Sequence, residues 1–378
     1  MLIRFPRLLA VATLLSAGAA VTDSARADCP QGTAYLDGCA GAPPGTAPYP
    51  AAFTDPVAPH DAAYPVRPPW NVPGIDYYVG VPLDLALADL GVGGALPACA
   101  SFDSSTGMVR VTSTPCDLVG IDFASYGACI YILSDAGAGA VTIAYSRFAV
   151  GTACPGSYLI ASGRGFAGNL TILYNSFFGN GPTPQAMSGA IGSLGNGDVD
   201  IEYNYITHFD QHGIDYGGAP SSVTQRFNFF EDFGMQVGSH PDSTYFCGGT
   251  FQNVTMEYNL SAEWYGDGAQ PSAELMTLHA DRYCGSSFIN PVVQYNVILA
   301  PGTGRGTAET ASYVLAAVQD AGQVLEYPYL AFNYIDWSGA YGPIYPQFDG
   351  IDGAVCVGNI DLSQGISITG LFGIVNCY

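Results

Sequence analysis

Val199-Asp200-Ile201-Glu202-Tyr203-Asn204 decides the fold of this chain, because the phrase keeps returning. It stands earlier as Leu170-Thr171-Ile172-Leu173-Tyr174-Asn175 and later as Val223-Thr224-Gln225-Arg226-Phe227-Asn228 and Val254-Thr255-Met256-Glu257-Tyr258-Asn259. Weaker copies end at Asn296, Asn333 and Asn359, and the copy Val141-Thr142-Ile143-Ala144-Tyr145-Ser146 carries Ser in place of Asn. From Ser146 onward the steps are 29, 29, 24, 31, 37, 37 and 26 residues. Self-similarity at that period means stacked supersecondary units.

Within a unit, Val199, Ile201 and Tyr203 (likewise Val254, Met256 and Tyr258) are large and apolar, and the residues between them are polar. A period of two marks a strand with one buried face. The units have room for three short strands with their turns and not for a helix as well. No leucine lattice is present, and propeller blades need four strands in about 40 residues. The spacing therefore predicts an all-β, right-handed, single-stranded parallel β-helix, in which like residues stack at about 4.8 Å per coil. Asn175, Asn204, Asn228, Asn259, Asn296, Asn333 and Asn359 then form an internal ladder. Each amide satisfies backbone groups that a sharp turn would strand.

Outward from the repeats, residues 1–27 read as a secretory signal peptide: Arg4 and Arg7, an apolar run from Leu8 to Ala20, then Ala25-Arg26-Ala27. The expected location is secreted or periplasmic, with no integral membrane segment after cleavage. Cleavage lowers the net charge from −22 to near −24, and the chain has no lysine. Nucleic acid and anionic membrane surfaces are excluded as partners, as is any lysine base. Residues 28–94 form a Pro/Gly-rich leader and N-terminal cap, with Leu83 to Leu90 as a short capping helix over the open end of the coil. The β-helix domain is expected over 95–378. The ten cysteines of an exported chain read as disulfides. Sequence neighbours suggest Cys29–Cys39, Cys99–Cys116, Cys129–Cys154 and Cys356–Cys377, and similar places in successive coils suggest Cys247–Cys284.

Chemistry is concentrated between Asn204 and Asn296, where His208, His212, His240 and His279 all fall. His240-Pro241-Asp242 and His279-Ala280-Asp281 each lead into Tyr and Cys-Gly, as one position in successive coils would. An Asp beside a His fixes its tautomer and raises its basicity. His240, Asp242, His279, Asp281 and Arg282 are the catalytic candidates, with Arg226 as base or substrate clamp. The other reading of His-x-Asp is a turn in which Asp bonds backbone amides. His212, Asp215 and Tyr216 of the first phrase, with Trp264 and Tyr265, are the substrate-binding candidates, the aromatics lying in turns where they could stack on sugar rings. Glu231, Asp232, Glu263 and Asp267, also placed in turns, are the candidates for a calcium site or a glycosidase carboxylate pair. Glu202, Arg226, Glu257 and Gln294 share one outward register position, which also reads as a surface charge ladder. The threonines at 142, 171, 224 and 255 read as a structural stack.

The Val-x-Ile-x-Tyr-Asn repeats, the Asn ladder and the signal peptide resemble the pectin-lyase-like superfamily of right-handed β-helix proteins, over roughly residues 95 to 378. Gly238-Ser239-His240-Pro241-Asp242 and Leu278-His279-Ala280-Asp281 are similar to segments of exported bacterial β-helix proteins. The resemblance implies lyase, hydrolase or epimerase chemistry on polysaccharide, or glycan binding. No known catalytic set of that superfamily transfers intact: the chain lacks an Asp-Asp pair and an Arg-x-Lys segment, and reads His-Pro-Asp where mannuronan epimerases carry Asp-Pro-His-Asp. Three functions stay open at this point: a secreted polysaccharide-active enzyme, a non-catalytic glycan-binding protein, and a structural surface β-helix.

Overall fold

The computed structural model describes residues 79–82, 85–91, 95–151, 157–179, 189–209, 211–233, 242–262, 276–299, 315–336, 344–347, 351, 353–361 and 366–368. These are almost entirely β-strand, turn and bend, with a single 3-10 turn at Ala124–Tyr126 among them. No helix of the described residues is long and apolar enough to cross a membrane.

Each repeat runs through three strands in turn, for example Val199–Glu202, Tyr205–Phe209 and His212–Gly217. Equivalent strands of successive repeats pair in parallel, building a first sheet of nine strands and, apart from one antiparallel end strand each, a second of eleven and a third of seven. The architecture is all-β with long parallel sheets, compatible with a β-solenoid. Register is strict: Val141, Leu170, Val199, Val223 and Val254 pair in sequence. Their neighbours two residues on, from Ile143 to Met256, line the same buried face. The third sheet ends at Asp242–Cys247, where a fourth strand enters the coil. Gly249–Gln252 pairs with Ser286–Ile289, and Met276–Ala280 with Leu315–Gln319. The extra strand is present in the repeats that end at Asn259, Asn296 and Asn333, whose steps are 31, 37 and 37 residues, where a uniform coil of three strands is expected.

The aromatic of the repeat does not continue the buried face, as alternation implies. Tyr145, Tyr174, Tyr203, Phe227, Tyr258, Tyr295 and Phe332 have φ between 50° and 57°, so the strand ends one residue earlier and the aromatic makes the corner. A side chain there costs about 1–2 kcal/mol per residue. The rings stack face to face with centroids 4.6 to 5.3 Å apart, the coil spacing itself, which offsets that cost by about 0.5–1.5 kcal/mol per pair. Glycine takes the corner at Gly358, where a Cβ would lie 2.5 Å from the Phe332 ring.

Beside this corner the Asn ladder forms as expected. Asn204 donates its backbone N–H (2.9 Å) and its amide (3.0 Å) to Asn228 Oδ1, and its amide also reaches the Ile172 carbonyl at 2.9 Å. The pattern continues from Asn175 to Asn359, and every member is fully buried. Ser146 joins its start, donating its backbone N–H to Asn175 Oδ1 at 2.9 Å.

Sheet ends are blunted with local strands, because a bare parallel edge recruits other chains. Ala88–Asp89 adds to Ile121–Asp122 at one end of the second sheet, and Ile366–Ser367 folds back antiparallel on Ile360–Asp361 at the other. Of the stretch expected as a capping helix, Leu83 to Leu90, the described residues from 85 onward hold the edge strand Ala88–Asp89 and no helix, since an extended segment can satisfy the open ladder and a helix cannot. Gly80 and Val81 bond to the Tyr203 carbonyl and Ser176 Oγ. Residues 1–78, where a signal peptide and most of a leader are expected, lie outside the described residues. Cys99–Cys116 and Cys247–Cys284 are bonded as expected. Cys129 and Cys356 are disulfide-bonded too, to partners outside the described residues.

One interior position is ill-matched. Ser261 pairs with Phe230 and Ile298 in a buried apolar column, and its hydroxyl is fully buried with no hydrogen-bond partner. Burying an unpaired hydroxyl costs about 1–3 kcal/mol. Ser261→Ala is therefore expected to raise stability by about 1 kcal/mol, seen as an upward shift of the urea midpoint. An unchanged or lowered midpoint would show that the hydroxyl is paired.

Candidate functional site

The third sheet brings together polar side chains from several of its strands. Its register aligns Tyr158, Gly189, His212 and Asp242 in one row, and Ala161, Gly192, Asp215 and Tyr245 in another. The glycines matter because the Tyr158 ring lies across their strand. A Cβ at Gly192 would come within 2.6 Å of Tyr158 Cδ2, and one at Gly189 within 3.0 Å of Cε1. Tyr158 thereby reaches past that strand and donates its hydroxyl to Asp215 Oδ2 at 2.5 Å. His212 stacks on the Tyr245 ring, centroids 4.5 Å apart and planes 8° from parallel. Its Nδ1 lies 3.3 Å from Asp242 Oδ2 without hydrogen-bond alignment, and the two side chains are 12% and 5% exposed. Tyr245 in turn donates to Cys284 Sγ at 3.0 Å, which ties the patch to the Cys247–Cys284 bridge.

Beneath the patch the coil interior is polar. Gln225 stands where the repeat places Ile201 and Met256, and it is fully buried. It accepts from Tyr216 Oη at 3.1 Å and donates to Thr244 Oγ1 at 2.7 Å. Tyr216 follows Asp215 and Thr244 precedes Tyr245, so this network fixes the two strands that present the site.

Electrostatics sort these groups by role. Burial holds His212 below the ordinary imidazole value, opposed by the Asp215 charge, so the ring is neutral near pH 7. Burial pushes the Asp215 carboxyl up, against the Tyr158 hydrogen bond and the nearby His212. Burial and then the Asp215 charge push the Tyr158 phenol far up, leaving it a proton donor at every working pH. A neutral imidazole, a carboxyl and a locked phenol in one patch offer both a proton acceptor and proton donors.

No protein-family model, no curated protein and no solved structure matches this chain. The patch must be read from its own geometry.

Of the expected site residues, the structure gathers His212, Asp215 and Asp242 here. His240, Trp264, Tyr265, Glu263 and Asp267 lie outside the described residues. The two His-x-Asp phrases are not one position repeated. Asp242 stands five residues before Cys247, as His279 does before Cys284, so relative to the bridged cysteines the phrases are offset by two. Asp242 consequently faces His212, and His279 faces Asp320, with Nε2 to Oδ1 at 3.6 Å. Asp281 caps a turn, accepting from the Tyr283 N–H at 2.6 Å. Arg282 is exposed and lies on Tyr283, 4.8 Å from the ring centroid.

Tyr216, expected in a turn as a sugar platform, is a fully buried core side chain of the strand His212–Gly217. Its place in the interior half of the strand alternation withdraws the ring from any ligand. Glu231 and Asp232 lie in the strand Phe229–Phe233 and not in a turn. Glu231 is buried and accepts from Tyr205 Oη at 2.6 Å and Thr207 Oγ1 at 3.3 Å, so this carboxylate is occupied by the protein.

Arg226 belongs to a different sheet from the patch. The register Glu202–Arg226–Glu257–Gln294 is as expected. Arg226 bonds Glu202 through Nε and lies 3.8 Å from Glu257 Oε1, and Gln294 donates to Glu257 Oε2 at 2.9 Å. Every charge in this row has its partner along the row, which is the ladder reading and not a substrate floor. The threonine stack forms beside it, with Asp200 between Thr171 and Thr224. Burial first, then the Asp200 charge, push Glu202 up to about 7 against the pull of Arg226. A carboxyl whose folded value exceeds its unfolded one binds more protons in the native state, so stability falls as pH rises between the two values. The thermal midpoint should therefore decline from about pH 4.5 to about 7. Asp200→Asn should flatten that decline, and an equal slope in the variant would remove the pair as its cause.

Tyr158, Tyr245 and Gln225 were not legible as site residues. The one sequence signal is the pair Gly189 and Gly192 within the strand Gly189–Ser193, since glycine inside a strand marks a close approach.

Proposed function

We propose that this chain is a secreted or periplasmic right-handed β-helix of the pectin-lyase-like kind that acts on polysaccharide by acid–base chemistry at the Tyr158–His212–Asp215–Asp242 patch. Right-handedness follows from the strong preference of parallel crossovers for that hand. Disulfides are compatible with an oxidising compartment. The observation that carries the reading is the pairing of a neutral, nearly buried His212 with Asp242, beside a phenol held on Asp215.

In the elimination version His212, with Nδ1 toward Asp242, uses Nε2 to take the proton alpha to a uronate carboxylate. The Tyr158–Asp215 pair supplies the proton for the departing glycosidic oxygen. In the hydrolytic version the raised carboxyl of Asp215 protonates that oxygen, while a water that gives its proton to the Asp242 carboxylate bonds to the anomeric carbon in its place. The net charge of −22 sets a polyuronate against the chain's own field, so a bridging cation or a neutral polysaccharide is favoured.

The test is turnover on a panel of uronate and neutral polysaccharides, with and without calcium. Absorbance near about 235 nm reports the unsaturated product of elimination, and reducing ends report hydrolysis. Retention of a polysaccharide without turnover by either readout would replace this reading with a non-catalytic glycan-binding β-helix.

A further inference from the structure

We propose that His279, Asp281 and Asp320 hold a first-row divalent cation, of the zinc or manganese class, that joins two successive coils. The strands Met276–Ala280 and Leu315–Gln319 pair in parallel with Ala280 opposite Gln319. The ladder runs one step further, from the Asp320 N–H to the Ala280 carbonyl at 3.0 Å. Asp281 and Asp320 therefore leave their strands at the same point of adjacent coils, and His279 stands two residues before Asp281. One ligand atom from each of the three lies within 4.8 Å of the others. Contraction by about 1–2 Å would bring them to a common ion, and side-chain rotation supplies that.

Two features separate this cluster from an ordinary acidic turn. First, each carboxylate is aimed through one oxygen by a backbone amide: Asp281 Oδ1 by the Tyr283 N–H at 2.6 Å, Asp320 Oδ2 by the Arg282 N–H at 3.2 Å. The second oxygen of each is left for a ligand, the arrangement that outer hydrogen bonds impose on metal-binding carboxylates. Second, Asp320 Oδ1 faces His279 Nε2 at 3.6 Å, so an imidazole nitrogen completes the set. The nearby cation does not fill the place. Arg282 sends its guanidinium to Tyr283, donating from Nη2 to the phenol oxygen at 2.8 Å, and its Nε stays 3.9 Å from the amide-bound oxygen of Asp320. One nitrogen and two carboxylate donors suit zinc or manganese, whereas calcium takes oxygen ligands throughout. Three protein ligands leave coordination positions open to water or to a bound anion. The site shares no residue with the polysaccharide patch, so either can fail without the other.

The test uses the full chain with its disulfides intact, stripped with a chelator and titrated calorimetrically with Zn2+, then Mn2+, then Ca2+. One equivalent of Zn2+ or Mn2+ should bind more tightly than Ca2+, with a rise in the thermal midpoint. His279→Ala and Asp320→Asn should each weaken binding at least tenfold and abolish that rise. The His212→Asn variant, which leaves the cluster untouched, should bind as wild type does. Absence of binding, a preference for Ca2+, or unchanged affinity in either cluster variant would overturn the proposal. Circular dichroism of the variants keeps the outcome clear, since a folded Asp320→Asn protein with wild-type affinity is decisive against it.

Discussion

His212→Ala is expected to lower kcat/KM on the responsive polysaccharide by about 10²- to 10⁴-fold, the usual contribution of a positioned general base. The ring is nearly buried on Tyr245 and faces Asp242, so its removal deletes the proton acceptor and little of the core. Asp242→Asn should cost less, because it leaves the ring in place on Tyr245 and removes only the nearby charge that supports the imidazolium. The pH profile adds a readout that a packing role would not move. Burial lowers the His212 value, so the acid limb of kcat/KM should lie below about 6.5, the ordinary imidazole value. Activity should rise with pH through that limb as the ring loses its proton. Tyr158 remains protonated, so no alkaline limb is expected from it near neutrality. Tyr158→Phe should lower turnover and leave the acid limb where it is. Full activity in His212→Ala, with the fold intact, would remove His212 from the mechanism and return attention to the carboxyl of Asp215 as the acid of a hydrolase.

Asn228→Ala carries the largest expected loss of stability, about 3–5 kcal/mol, from two or more buried backbone groups left without partners at about 1–3 kcal/mol each. Asn228 Oδ1 is the acceptor for the Asn204 N–H at 2.9 Å, and its amide donates to the Ile201 carbonyl at 2.8 Å. Water cannot replace these bonds, because the position is fully buried between two corners of adjacent coils. Asn359→Ala, at the far end of the ladder, should cost less than half as much. A stacked protein can fray a terminal coil at small expense but cannot open a middle one. Urea midpoints of the two variants measure the difference, and hydrogen exchange at the Asn204 amide locates it. Equal losses at both positions, or a loss under about 1 kcal/mol at Asn228, would show that the ladder is not a continuous support.

The coil was legible in the sequence because its information is local. Alternation in Val199-Asp200-Ile201-Glu202 and recurrence of the aromatic-Asn ending at steps of 24 to 37 residues specify strand, face and corner without long-range knowledge. The same property gave Cys247–Cys284, the Asn ladder and the Glu202–Arg226–Glu257 row, since equal phase in a repeat means equal place in space. Phase also misled where the repeat is interrupted. The two His-x-Asp phrases look equivalent as text, but the fourth strand enters between them, and Asp242 and Asp281 stand at different distances from their cysteines. Tyr203 satisfies the alternation, yet it turns the corner in the left-handed region, because face-to-face ring stacking offsets the backbone cost there.

The sequence by itself determined the net charge and the repeated strands with their stacking register, the latter two being properties of neighbours along the chain or of equal phase between repeats. Only the tertiary structure decided which polar side chains meet at the two candidate sites. Tyr158 reaches Asp215 across two glycines, Tyr245 lies under His212, Tyr216 is withdrawn into the core, and Asp320 joins His279 and Asp281 from the next coil. Those meetings depend on how far a side chain extends over a neighbouring strand and on the size of the residue it crosses, and neither is a periodic property.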